Sequence, residues 1–295
     1  MFSICIIIPY FGKWPLWMPF FLESCRKNPD IDWKLFSDCG TPENLPSNVH
    51  MHTITFSDYC DFVSQKLNIH FSPADPYKLC DIKPAYGFLH ADDLRRYDFW
   101  GFGDIDVIYG QLREWFTHEH LTRYDLFSSH IRRISGHLTL LRNTPRMHQL
   151  FQRIPNWQEK FCGPNEMLDE KAFTRVFQKR RNFTKPLFKF YNWFNPLWRK
   201  SCFREAYCFP GTNVRWTDGS FDFPHYWYWR EGHLTNDRDG DRGFPYLHFM
   251  MYKHNEGWKN GSEELSREYQ QIAQSGRWRI SPEKGFSRLT DDSDL

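Results

Sequence analysis

The sequence has no pair of cysteines spaced C-x-x-C, although it holds eight cysteines. That argues against a zinc ribbon or a thioredoxin-type site. It also lacks any apolar run approaching the roughly 20 residues that a membrane-spanning helix needs. The opening "MFSICIIIPYFGKW" has no basic leading region, and its apolar stretch from Ile4 to Ile8 is too short for a secretion signal. These absences imply a cytoplasmic chain with reduced thiols. Charge of either sign is scarce in the balance: 38 Lys and Arg against 36 Asp and Glu leave a net +2. Whole-chain charge therefore gives no reason to expect a nucleic acid partner. One stretch lacks one sign entirely, for Lys171 to Arg204 contains no Asp or Glu.

What is present is a chain of 295 residues, 40% hydrophobic and 25% charged. That suits a soluble globular protein with one large domain or two merged ones. Aromatic residues reach 19%, and rings serve either as core or as stacking faces for sugars, bases and lipid headgroups. "SICIIIPYFG" is a β-branched run ended by Pro and Gly, the pattern of a strand buried on both faces. "IDWKLFSD" and "NVHMHTITF" read as further strands, with helices in "WPLWMPFFLESCRKNP" and "FSDYCDFVSQKLNI". A helix is expected from near Pro84 in "LCDIKPAYGFLHADDLRRY", followed by strands in "YDFWGFGDIDVIYG", "YDLFSSH" and "GHLTLLRN". Such alternation predicts an α/β fold with a mainly parallel sheet flanked by helices. The expected division is a ligand-binding half over 1–145, a second half over 146–277, and a loose polar tail over 278–295.

Within "YDFWGFGDIDVIYG", Asp104 and Asp106 follow an apolar strand. Residues i and i+2 of extended backbone face the same side, so the two carboxylates can converge. A converging pair at the carboxyl edge of a sheet suits a hard cation such as Mg²⁺ or Mn²⁺, where open α/β sheets bind ligands. The alternative is that one Asp caps a turn while the other pairs with an Arg.

A strand-ending Asp-x-Asp resembles the metal-diphosphate motif of GT-A fold (Rossmann-like) glycosyltransferases that use nucleotide sugars. "YKLCDIKPAYGFLH" followed by "YDFWGFGDIDVIYG" resembles bacterial capsule and lipopolysaccharide glycosyltransferase-like proteins, with Lys-x-x-Asp-x-Lys-Pro ahead of Trp-Gly-x-x-Asp-x-Asp. "ISGHLTLLRN" fits the next segment of that group. The resemblance covers residues 3 to 145. It implies a GT-A fold with a C-terminal acceptor-side region, and a nucleotide-diphosphate donor, a UDP-sugar foremost. It also implies transfer to a saccharide or lipid-linked saccharide in surface polysaccharide synthesis, on the inner face of the cell membrane.

The resemblance also assigns residues. Pro9 and Tyr10, at the end of the first strand, would border the nucleotide. Asp104 and Asp106 would hold the metal. "YLHFMMYKHNEGW" is similar to the His-containing C-terminal motif of retaining galactosyltransferase-like enzymes, which makes His248 a third metal ligand and Lys253 a diphosphate contact; its final Asn-Glu-Gly-Trp departs from that motif. Lys83 would add positive charge beside the diphosphate, and Asp81 would accept from the nucleotide or donor sugar; the alternative for both is a solvated helix cap. Ser135, Gly136 and His137 would border donor sugar and acceptor. Asp169 and Glu170, expected near the start of a helix in "GPNEMLDEKAFTRVF", match the acidic pair that GT-A enzymes carry beside the anomeric carbon. A carboxylate there acts as a general base or orients the donor.

The acid-free stretch 171–204 carries ten Lys and Arg interleaved with Phe, Tyr and Trp, as in "LFKFYNWFNPLWRK". It suits contact with an anionic membrane surface; a surface loop packed on the domain, or single-stranded nucleic acid, are the alternatives. For the whole chain, the competing readings are a metal-dependent phosphohydrolase and a non-catalytic carbohydrate-binding protein. A glycoside hydrolase fits less well, since its two carboxylates flank the sugar at roughly 5 to 10 Å.

Overall fold

The computed structural model describes residues 1–210, 214–255, 258 and 263–289. The first strand, β1 (Ile4–Pro9), is buried from Ile4 to Ile8. Its alternation divides it between two layers. Ile4, Ile6 and Ile8 meet the helix Met18–Arg26 on one face, and Cys5 and Ile7 meet the helix Phe56–Leu67 on the other. Pro19 opens the first helix. Thr55 caps the second by accepting from the Asp58 N–H, and Asn68 ends it in the left-handed region at φ 51°.

Around β1 lie β2 (Ile31–Ser37), β3 (Val49–Thr53) and β4 (Phe99–Gly103), all parallel. β5 (Val107–Tyr109) leaves this sheet. β6 (Leu126–Ser128), β7 (Leu138–Arg142) and β8 (Ser201–Phe203) complete it in the order β3-β2-β1-β4-β7-β6-β8, with β7 antiparallel to both neighbours. The fold is thus mixed α/β, its central sheet mainly parallel and flanked by helices. β9 (Trp227–Arg230) and β10 (His233–Asn236) belong to a second, antiparallel sheet, and β11 (Tyr246–His248) pairs with β5.

Three expectations change. The segment around Lys83 is not one helix begun at Pro84. It is a chain of single turns from Pro76 to Leu89, because Pro84 supplies no N–H to a regular ladder. Residues 164–171 are irregular, and the helix there spans only Ala172–Phe177. Asp169 and Glu170 therefore precede it. The expected loose tail is ordered over most of its length: β12 (Arg277–Ser281) and β13 (Gly285–Arg288) join the second sheet, burying Trp278, Ile280 and Phe286. Residues 290–295 of that tail, and Glu256 and Gly257 of the stretch beginning at Tyr246, lie outside the described residues. Both halves contribute to the sheets around the first strand, since β8 completes the first sheet and β11 pairs with β5.

Much of the aromatic content is core. Trp229 stacks on Trp278 at 3.8 Å, and Phe20 of the first helix stacks on Phe286 at 3.9 Å. Trp100 is also fully buried.

Candidate active site

β4 ends at Gly103 and β5 begins at Val107, so Asp104, Ile105 and Asp106 bridge two sheets. Ile105 turns inward and is buried, and its carbonyl accepts from Trp17 Nε1 at 3.0 Å. Asp104 and Asp106 both line a cavity of about 540 Å³. β11 pairs antiparallel with β5 in a register that sets His248 beside Val107. That register, and not nearness in the chain, brings His248 Nε2 to 3.3 Å from Asp106 Oδ1. Each of Asp104, Asp106 and His248 offers one donor atom within 4.8 Å of the others.

Two ammonium groups meet the carboxylates. Lys83 donates to Asp104 Oδ1 at 2.5 Å and to the Gly136 carbonyl at 2.9 Å. Lys253 donates to Asp106 Oδ2 at 2.6 Å. Burial opposes the charge on Asp106, yet His248 and Lys253 hold its carboxyl well below the usual carboxylate range. Burial likewise disfavours charge on Lys83, but Asp104 and Asp169 push its pKa above the usual lysine value. Lys83 is thus a buried, paired ammonium rather than a solvated helix cap.

Asp169 and Glu170 face the same cavity, both buried. Asp169 Oδ2 lies 3.9 Å from Lys83 Nζ. A Cβ on Gly136 would come within 2.5 Å of that oxygen, so any side chain there would displace the Asp169 carboxylate. The Gly136 N–H donates to Glu170 Oε1 at 3.2 Å, and Arg133 stands 3.3 Å from Glu170 Oε2. Burial raises the Asp169 pKa to about 7, which Lys83 lowers in part and Glu170 and Asp104 reinforce. His137 stacks on His248 at 4.3 Å, and its Nδ1 lies 2.7 Å from the Tyr246 hydroxyl. Burial, then His248 and Lys83 beside it, push the His137 pKa well below its ordinary value.

Most residues named from the sequence meet here. Pro9, Tyr10, Lys83, Asp104, Asp106, Gly136, His137, Asp169, Glu170, His248 and Lys253 all line this one cavity. Asp81 and Ser135 do not. Ser135 is buried against Ser129 and Ser128. Asp81 is fully buried, and its oxygens accept from Lys78 Nζ at 2.8 Å, Glu166 N at 3.0 Å and Leu168 N at 2.8 Å. It is therefore occupied inside the protein and cannot reach a nucleotide. It clamps the loop that carries Asp169 and Glu170, across Met167, whose φ of 55° is costly for a side chain without Asn or Gly character.

Reasoning from sequence missed Arg133, Trp17 and the clamp lysine Lys78. Only Lys78 left a signal, its three-residue spacing to Asp81.

Residues 6–276 match the model of a family described as a family of unknown function, DUF6625. The chain belongs to the DUF6625 family. No protein of curated function matches it. Among solved structures, this DUF6625 chain is similar to galactosyltransferase LgtC in complex with donor and acceptor sugar analogs. There the identity is 13%, the TM-score is 0.34, and the match covers 62% of this chain and 82% of that one. An active-site mutant of LgtC is similar at 10% identity and a TM-score of 0.41, over 98% of this chain and 99% of that one.

Proposed function

We propose that this protein is a metal-dependent glycosyltransferase that moves a sugar from a nucleotide-diphosphate donor, a UDP-sugar foremost, to a saccharide acceptor. The observation that carries this reading is the donor set Asp104, Asp106 and His248, flanked by Lys83 and Lys253, in one cavity. Two carboxylates suit a hard divalent cation, and the imidazole favours Mn²⁺ over Mg²⁺. Asp104 Oδ2 and Asp106 Oδ1 are the oxygens that the lysines leave available. Bound there, a divalent ion supplies Lewis-acid stabilisation of the leaving diphosphate.

The chain's own groups account for the rest. Lys83 and Lys253 bring positive charge to where phosphate oxygens gain negative charge as the sugar–phosphate bond breaks. Tyr10, stacked on Trp14 at 5.3 Å, offers a ring beside the nucleotide end of the cavity. His137 and the Gly136 backbone border the sugar. Asp169, with a pKa of about 7, either takes the acceptor hydroxyl proton as the new glycosidic bond forms or orients the donor sugar. The similarity of the His248 segment to a motif of retaining enzymes leans this reading towards retention of configuration. The acceptor class is a saccharide or lipid-linked saccharide of bacterial surface polysaccharide synthesis, met by a cytoplasmic protein peripheral on the inner face of the membrane.

Titration calorimetry with UDP, GDP and CMP, with and without Mn²⁺, tests the reading. One nucleotide is expected to bind more tightly with the metal. No metal-dependent tightening for any of the three, in folded protein, sinks it. Asp106→Ala should remove the metal-dependent part of binding and leave the fold intact by circular dichroism.

A further inference from the structure

One surface segment takes no part in the chemistry above. The helix Lys185–Trp193 is held inward by Asn192, which bonds both the N–H and the carbonyl of Lys179, and Asn195 reaches the Phe177 carbonyl just after it. Its other side carries large rings into solvent: Phe190 and Trp193 are each 62% exposed, and Phe194 is 73% exposed. Lys185 and Lys189 are exposed on the same helix. Among the described residues, none of the ten Lys and Arg between Lys171 and Arg204 forms an ion pair with a carboxylate. A solvated apolar face beside unneutralised cations is costly for an isolated protein and suits an interface.

An arginine cluster begins just ahead of this helix. Arg181 donates to the Arg132 carbonyl at 2.7 Å. Burial, then the charges of Arg175, Arg133 and Arg132, hold the Arg181 pKa below its ordinary value. The nearby His130 is pushed down to about 4 by burial and then by Arg133, Arg132 and Arg181. Of the four arginines, Arg133 alone has an acidic partner, Glu170, and it lines the cavity. The cluster thus runs from Arg181, a few residues ahead of the exposed helix, to Arg133 in the cavity lining.

We propose that the helix Lys185–Trp193 and the cluster of Arg132, Arg133, Arg175 and Arg181 form one docking face for an anionic lipid surface. The arginines take headgroup phosphates, and the rings enter the interfacial layer. Guanidinium groups match phosphate oxygens in pairs, and amphipathic rings settle at the level of lipid headgroups. No helix among the described residues is long and apolar enough to cross a membrane, so the contact is peripheral. Docked this way, the Arg133 side of the cavity faces the lipid, where an acceptor carried on a lipid would enter. This orientation rests on the transferase reading; the docking itself does not.

Cosedimentation with vesicles tests it, using phosphatidylcholine alone or with about a third phosphatidylglycerol. The full chain is expected to bind the anionic vesicles at low salt and to release as salt rises. Phe190→Ser with Trp193→Ser, and separately Arg175→Ser with Arg181→Ser, should each weaken binding about tenfold or more. Both double variants should keep the wild-type circular dichroism and the wild-type UDP and Mn²⁺ titration. Failure to bind anionic vesicles, or unchanged binding by both variants, overturns the proposal. Preferential binding to a single-stranded homopolymer that vesicles do not displace overturns it in favour of nucleic acid. Vesicle binding without any nucleotide binding keeps the docking face and discards the transferase reading.

Discussion

Asp169 is a carboxyl group that folding makes reluctant to ionise. Its pKa is raised from 3.8 to about 7, chiefly by burial. Its contribution to stability is fully present below pH 3.8 and is lost as pH rises through about 7, since the unfolded chain gives up this proton first. Asp169→Asn should flatten the fall in stability across that window, read as urea midpoints from pH 4 to pH 8. If Asp169 serves as the base, kcat/KM should climb as pH rises through about 7, and Asp169→Asn should lose at least about a hundredfold at the plateau. A climb that survives the substitution removes Asp169 from that role. Asp81 invites a different test, because it acts through the loop. Asp81→Asn replaces an acceptor by a donor facing Lys78 and two backbone N–H groups. Turnover should drop about tenfold while UDP affinity stays within about twofold. A loss of affinity with turnover unchanged would mean that Asp81 does meet the nucleotide.

At the scale of elements, β12 and β13 seal the end of the second sheet against the first helix. Trp278 is wholly buried between Trp229 and Phe20. Trp278→Ala should cost about 3–5 kcal/mol by chemical denaturation; a cost under about 1 kcal/mol would mean that this strand is not held as described. Its polar neighbours hid this strand from the sequence reading, although Trp278 and Ile280 alternate as a half-buried strand requires. The opening strand was easy to read because nothing interrupts its apolar run. The Lys83 segment was not, because four consecutive single turns carry no period long enough to register. The candidate site divides in the same way. Asp104 and Asp106 follow directly from a strand ending. The role of Asp81 depends on a loop some 85 residues further on, which no local pattern discloses.

For the molecule as a whole, both halves contribute strands to the first sheet and to the β5–β11 pair, and the C-terminal part of the chain covers the first helix. Phe20 packs on Tyr269, Trp278 and Phe286, all contributed from beyond residue 262. This closure bears on how the protein is made. During synthesis the first helix emerges early, yet the surface that shelters Phe20 cannot exist until residues 269–286 have been translated. The nascent chain must carry that greasy patch through most of its elongation, a period in which chaperone capture and aggregation compete with folding. A fragment ending at residue 262 should therefore bind hydrophobic dyes more strongly and resist proteolysis less than the full chain.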